Sequence, residues 1–198
     1  KVRGITVGDG SIRIFEKDEC NFAYRSSVFK TTLKGKFLVT RVWFRLLKDP
    51  RYKIDYGSVK EEVSKLGNLN LASIRQAVIN IRRKKLPDPD ITGNAGSFFK
   101  NPVVSAQKAE ALKKIFPGIP VYEQASSDVK LAAGWLIDQC GWKGKSIGDA
   151  GVHDKRALVL INHGKASGEE IFALSEMIKK SVSDKFGIEL EREVEVIG

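Results

Sequence analysis

The stretch GNAGSFFKNP (93–102) gathers a hydroxyl at Ser97, a cation at Lys100 and an amide at Asn101 around two phenylalanines. Gly93, Ala95 and Gly96 before them are small enough to let a backbone approach a ligand, and the glycines can take positive φ. That composition suits a ligand-binding loop, but taken alone it suits a well-packed turn better, because Gly/Asn clusters are ordinary turn chemistry. Four other clusters carry reactive or charged groups: Ala23-Tyr24-Arg25-Ser26-Ser27, Tyr56 beside Gly57, the run RRKKLPDP (82–89), and Glu193 between Arg192 and Val194. Each has a plain structural reading as well. A Tyr-Arg pair can lie on the surface, cations suit a helix C-terminus, and a glutamate in an alternating strand faces water. No Walker loop, GxGxxG, nucleophile elbow or HExxH occurs.

Composition narrows the class. The chain has 198 residues, 42% hydrophobic and 29% charged, which fits a soluble globular protein of one or two domains. No apolar run approaches the roughly 18 residues of a membrane span. With no secretory pattern and two cysteines, Cys20 and Cys140, outside any CxxC spacing, the expectation is reduced thiols in a cytoplasmic protein. His153 and His163 have no companions at metal-ligand spacing, so no metal is expected. The net charge of +10 implies attraction to anions, with nucleic acid, a nucleotide diphosphate and NADPH all candidates.

The elements that must position these groups follow from periodicity. Residues 1–15 read as a hairpin turning at Gly8-Asp9-Gly10. Because a lone hairpin is marginal in water, and no initiating methionine precedes it, the expectation is a fragment whose other strands lie upstream. Residues 16–30 read as a short helical turn and loop. Residues 36–47 read as a strand burying Val39, Val42 and Phe44. The charged, Pro- and Gly-bearing stretch 48–59 is a candidate linker. Helices are expected over 71–86, with apolar Leu71, Ile74, Val78 and Ile81 at a helical period, over 104–116 with Ser105 as cap, and over 129–141. A strand is expected at 157–162. A further helix at 167–187 carries a Ser167/Glu170 capping box, a stripe of Ile171, Leu174, Ile178 and Val182, and a Gly187 stop. Residues 188–198 read as a closing strand. The second part is therefore α+β, with helices on a small sheet.

GNAGSFFKNP, then KLAAGWLIDQCGWKG (130–144), then LEREVEVIG (190–198), resemble the UDP-N-acetylenolpyruvoylglucosamine reductase family; AYRSSVFK, YGSV and KLPDP extend the match. The resemblance implies an FAD- and NADPH-dependent enzyme that reduces the enolpyruvyl ether of UDP-N-acetylglucosamine to UDP-N-acetylmuramate for bacterial peptidoglycan. It implies that residues 1–50 are the C-terminal part of an FAD-binding domain and 55–198 the substrate-binding domain. The glycine-rich flavin loops are missing from the sequence, so an inactive, monomeric fragment is expected. The resemblance assigns catalysis to Arg25, Ser97 and Glu193: Arg25 and Glu193 would act as one unit on the substrate carboxylate, and Ser97 would return a proton to carbon. It assigns substrate contacts to Tyr24, Tyr56, Lys85, Asn101, Tyr122 and Arg156. Tyr122 would sit on a mobile loop over the nucleotide, and Arg156 replaces a glutamine of the family pattern near the uridine. Two rivals stay open: a nucleotide-sugar-binding fragment without catalysis, and a basic nucleic-acid-binding module. Against the second, the basic residues are spread along the chain, and Glu193 and Glu195 interrupt the closing strand.

Overall fold

Alternating apolar residues on either side of Gly8-Asp9-Gly10 fold into the expected hairpin, β1 (Val2–Thr6) antiparallel to β2 (Ile12–Phe15). The structure is a computed structural model describing residues 1–23, 25–124 and 127–197. It divides into two compact units, Lys1–Lys53 and Ile54–Gly198. In the first, β3 (Phe37–Val42) pairs with the other edge of β1, giving the order β2-β1-β3. Val2, Phe15 and Cys20 form its small core, with the rings of Phe29 and Phe37 packed on Phe15. Val39, Val42 and Phe44, expected inside, are 40%, 45% and 81% exposed. Their β-branched and aromatic character marks a strand, but propensity does not say which face is covered; Phe37 is the β3 residue that closes this core.

The second unit begins with α1 (Val59–Lys65) and α2 (Leu71–Lys85). Asn70 and Ser73 cap α2 reciprocally, side chain to backbone in both directions. The inward face of α2 is not the Leu71, Ile74, Val78, Ile81 stripe: Leu71 is 63% exposed, and the buried residues are Ser73 and Ala77. Asn80 and Lys84 continue that face at helical spacing and reach Glu62 of α1, which also pairs with Lys65. The face toward α1 thus lies about one residue round from that stripe, and its polar members hold the buried carboxylate of Glu62.

β4 (Gly93–Ser97) follows, then β5 (Val103–Ser105), which runs directly into α3 (Ala106–Ile115) under the expected Ser105 cap. Next come β6 (Val121–Glu123), β7 (Asp128–Leu131) and α4 (Ala133–Gln139). The stretch 129–141 is therefore strand then helix, not helix throughout. β8 (Ser146–Ile147), β9 (Ala150–Val152), β10 (Val159–Asn162) and α5 (Gly168–Phe186) complete the order. The sheets are antiparallel, ordered β4-β10-β9-β8 and β5-β7-β6. α5 carries its capping box, its buried Leu174, Ile178 and Val182, and a left-handed Gly187 at its end. It packs on a core that includes Phe99, Leu131, Leu136, Ile137 and Leu160. The α+β class is as expected. The closing stretch alternates only at its start, with Ile188 and Leu190 buried beside the exposed Glu189 and Glu191; farther on Glu193 is half-buried while Val196 and Ile197 are exposed, so the expected closing strand does not form. Among the described residues its ladder shrinks to one bridge, Phe99 to Arg192. No helix among the described residues is long and apolar enough to cross a membrane.

The Glu62 clamp generates a pH-dependent expectation. The hydrogen bond from Lys65, aided by Asn80 and Lys84, holds this carboxyl below its ordinary value against the opposing effect of burial. A depressed folded-state pKa adds stability above the unfolded-state value of about 4.3, lost as pH falls through the folded value. Glu62→Gln should lower the thermal midpoint at pH 7, and the gap from wild type should close on acidification to pH 3. A gap that persists at pH 3 would mean that Glu62 acts by packing instead.

Candidate active site

The GNAGSFFKNP stretch is not a loop. Its first half is β4, antiparallel to β10, with Gly93 opposite Asn162, Asn94 opposite Ile161 and Ser97 opposite Val159. The register slips between Val159 and Ile161, so β4 carries a bulge. Gly96 sits in it at φ 73°. Asn94 holds the bulge from both sides: its Oδ1 accepts the Gly96 N–H at 3.0 Å and its Nδ2 donates to the Thr92 carbonyl at 2.9 Å. Gly93 needs no positive φ. Beyond the bulge Ser97 is exposed, while Phe98 and Phe99 are buried and anchor the chain.

The C-terminal segment returns to this point. The Lys100 N–H donates to the Glu191 carbonyl at 2.8 Å, and the Glu193 N–H donates to the Phe98 carbonyl at 2.9 Å. Glu193 is thereby tied to the residue next to Ser97. Arg192, between the two contacts, lies on α5, bonded to Ser175 and paired with Glu176. Burial lowers the pKa of its guanidinium from the ordinary value, yet a guanidinium keeps its charge in proteins. Arg156 is exposed in the turn between β9 and β10, where the Val159 N–H closes on the Arg156 carbonyl at 2.9 Å. That turn leads into Val159, the partner of Ser97.

A second group of candidates hangs on β7. The Asn101 Oδ1 accepts the Ala133 N–H at 3.0 Å, capping α4 from a distance because Ala132 has no side chain that could. Its Nδ2 stays available as a donor. The Leu131 N–H meanwhile donates to the Pro102 carbonyl at 2.9 Å. Tyr122 lies in β6 rather than in a loop, 51% exposed and directly opposite Lys130 of β7. The helical reading of 129–141 hides Lys130 in β7; its place opposite Tyr122 depends on the β6–β7 pairing, for which VYE and DVKL, each with a single valine, give only a weak local signal.

The remaining candidates are dispersed. Lys85 ends α2 and is exposed, and Tyr56 precedes α1 at 89% exposure. Arg25 belongs to the first unit and is exposed at φ 55° in a turn closed by reciprocal Ala23 and Ser26 backbone bonds. That backbone region costs a non-glycine residue about 1–2 kcal/mol. Tyr24 lies outside the described residues.

The family model for the UDP-N-acetylenolpyruvoylglucosamine reductase C-terminal domain matches residues 88–197. The chain is 47% identical over 189 residues to the reductase of that name from Bacteroides fragilis, covering 96% of this chain and 57% of the relative. It is 49% identical to that of Chromobacterium violaceum, covering 93% and 55%. The crystal structure of UDP-N-acetylenolpyruvylglucosamine reductase from Thermus caldophilus is similar at a TM-score of 0.56 and 26% identity, covering 98% of this chain and 51% of that one. The chain spans about half the length of the curated relatives it matches.

The bulge can be tested apart from any activity. A Cβ on Gly96 meets nothing within 4 Å, so Gly96→Ala isolates the backbone cost of its positive φ. It should destabilise by about 1–2 kcal/mol in urea unfolding. Gly93→Ala, in ordinary contact with Asn162 and without positive φ, should be neutral or slightly stabilising. Equal costs for the two would argue that the bulge is not what sets Ser97.

Proposed function

The chain belongs to the UDP-N-acetylenolpyruvoylglucosamine reductase C-terminal domain family, and from that premise we propose that it forms the substrate-handling part of an enzyme reducing a UDP-sugar enolpyruvyl ether to UDP-N-acetylmuramate. The observation that carries this reading is the Glu193–Phe98 backbone bond, which puts a carboxylate-bearing residue next door to an exposed serine on a bulged strand.

The chemistry explains why such a pair is useful. Hydride addition to an alkene conjugated to a carboxylate drives negative charge onto the carboxylate, and groups already aimed there lower the barrier. Arg25 is assigned that carboxylate by the resemblance; a guanidinium forks onto it bidentately and keeps its charge. Glu193 helps to hold the same end, which requires a cation or a shared proton beside it. Ser97 returns a proton to the carbon that did not receive hydride. A hydroxyl is a weak acid, but an enolate-like carbon is a strong base and the transfer is short. Asn101 and Lys85 take the diphosphate, one as a neutral donor fixed by α4 and the other as a point charge, with Tyr56 at the same end. Tyr122, opposite Lys130, covers the nucleotide; Arg156 takes the uridine end, and the resemblance assigns Tyr24 a substrate contact.

FAD reduced by NADPH would supply the hydride. A pyrophosphate, of the flavin or of the sugar nucleotide, can be held at an open helix N-terminus; α2, α3, α4 and α5 are capped by Asn70, Ser105, Asn101 and Ser167, and α1 has no side-chain cap. Turnover in the cytoplasm, where UDP-sugars and NADPH meet, belongs to the same proposal.

Ser97→Ala in the intact protein should lower kcat by about 10²–10⁴ and leave UDP-sugar affinity unchanged by calorimetry. A parallel loss of affinity, or an unchanged kcat, would remove Ser97 from the proton-donor role.

A further inference from the structure

Glu193 is held beside Ser97 by very little backbone. Between residues 98–100 and 191–193 there is a single bridge with two hydrogen bonds. A pairing that short does not hold itself in water. The neighbouring Lys100–Glu191 ion pair adds little, since Glu191 is largely exposed.

Arg192 is built differently. Its side chain is only 17% exposed and lies across one face of α5, where Phe172, Ser175 and Glu176 fall together at i, i+3 and i+4. The Arg192 Nε donates to the Ser175 Oγ at 2.8 Å. The Ser175 hydroxyl is fully buried and gives its own proton to the Phe172 carbonyl at 2.6 Å, so its lone pairs are presented to Arg192. The guanidinium also pairs with Glu176, and its carbon sits 4.1 Å from the Phe172 ring centroid. Hydrogen bond, ion pair and stacking use the planar fork of arginine in three ways that lysine cannot reproduce together. α5 is a firm base for such a clamp, capped at both ends and buried along Leu174, Ile178 and Val182.

We propose that Arg192 is a positioning residue: by locking onto Phe172, Ser175 and Glu176 of α5 it holds the adjacent Glu193 against the end of β4, beside Ser97. The consequence for turnover rests on the function proposed above; the structural half does not. Misplacing a catalytic group by about 1 Å can cost up to about 100-fold in rate, which is the scale at which such a clamp matters.

The test uses the intact protein with Arg192→Met and, in case that variant folds poorly, the milder Arg192→Lys. Hydrogen exchange is read at the Glu193 and Lys100 amides, whose acceptors are the bridge carbonyls. Both amides should exchange at least about tenfold faster in Arg192→Met, while the amides of α5 keep their protection. Unchanged exchange at Glu193 in both variants would overturn the proposal, whatever the activity. Kinetics form the second arm. kcat should fall about 10- to 100-fold with UDP-sugar affinity kept, Arg192→Lys should recover part of the loss, and Arg192→Met should add nothing to Glu193→Gln in the double variant. Faster exchange with wild-type kcat, or additive losses, would also overturn it. If the wild-type protein does not turn over the UDP-sugar, the functional reading fails, and the exchange arm alone decides whether Arg192 holds Glu193.

Discussion

The constraint on which the second unit's candidate site depends is the return of the C-terminal segment to the end of β4. Ser97 and Glu193 are remote in sequence, and neither position means much alone. One backbone bond, from the Glu193 N–H to the Phe98 carbonyl, makes them neighbours. Everything nearby serves that juncture. The bulge at Gly96 turns Ser97 outward while Phe98 and Phe99 stay buried, and α5 underlies the segment that brings Glu193 in.

β7 does similar work for the second group of candidates. Its partner on one edge carries Tyr122; its last residue is bonded to Pro102, and the helix that follows is capped by Asn101. A short strand thereby sets the nucleotide-facing tyrosine and the diphosphate-facing amide of the proposed site on one support. The Asn101 cap is economical in a second respect. With its carbonyl oxygen committed to α4, the orientation of the amide is decided, and the free end is a donor, which is what an anionic ligand requires.

Much of this was legible because its causes are local. The Ser167/Glu170 box, the Gly187 stop and the Gly8–Gly10 turn act within a few residues of themselves, and the helix and hairpin they announce are there. What the sequence hid is decided by partners far away. Val129 and Lys130 precede a run of alanines and leucine that reads as helix, and only pairing with β5 and β6 makes them strand. The face of α2 toward α1 carries the fully buried Ala77 together with the Asn80 and Lys84 contacts to Glu62, a partner that the helix's own periodicity does not reveal. The closing stretch alternates only over its first four residues, and its pairing comes down to one bridge to Phe99, a partner remote in sequence. Among the candidate side chains, Ser97 and Glu193 could be named from the family motif, whereas their adjacency, the role of Asn101 at α4 and the placement of Lys130 emerged only with the fold.

The most direct measurement is the crystal structure of the intact protein with the UDP-N-acetylglucosamine enolpyruvyl ether bound. The account requires the Ser97 Oγ within about 3–3.5 Å of the protonated alkene carbon, with Glu193 at the carboxylate end and the diphosphate on the Asn101 amide. A sugar nucleotide bound away from β4, or a Ser97 hydroxyl turned from the alkene with the diphosphate nowhere near Asn101, would contradict it.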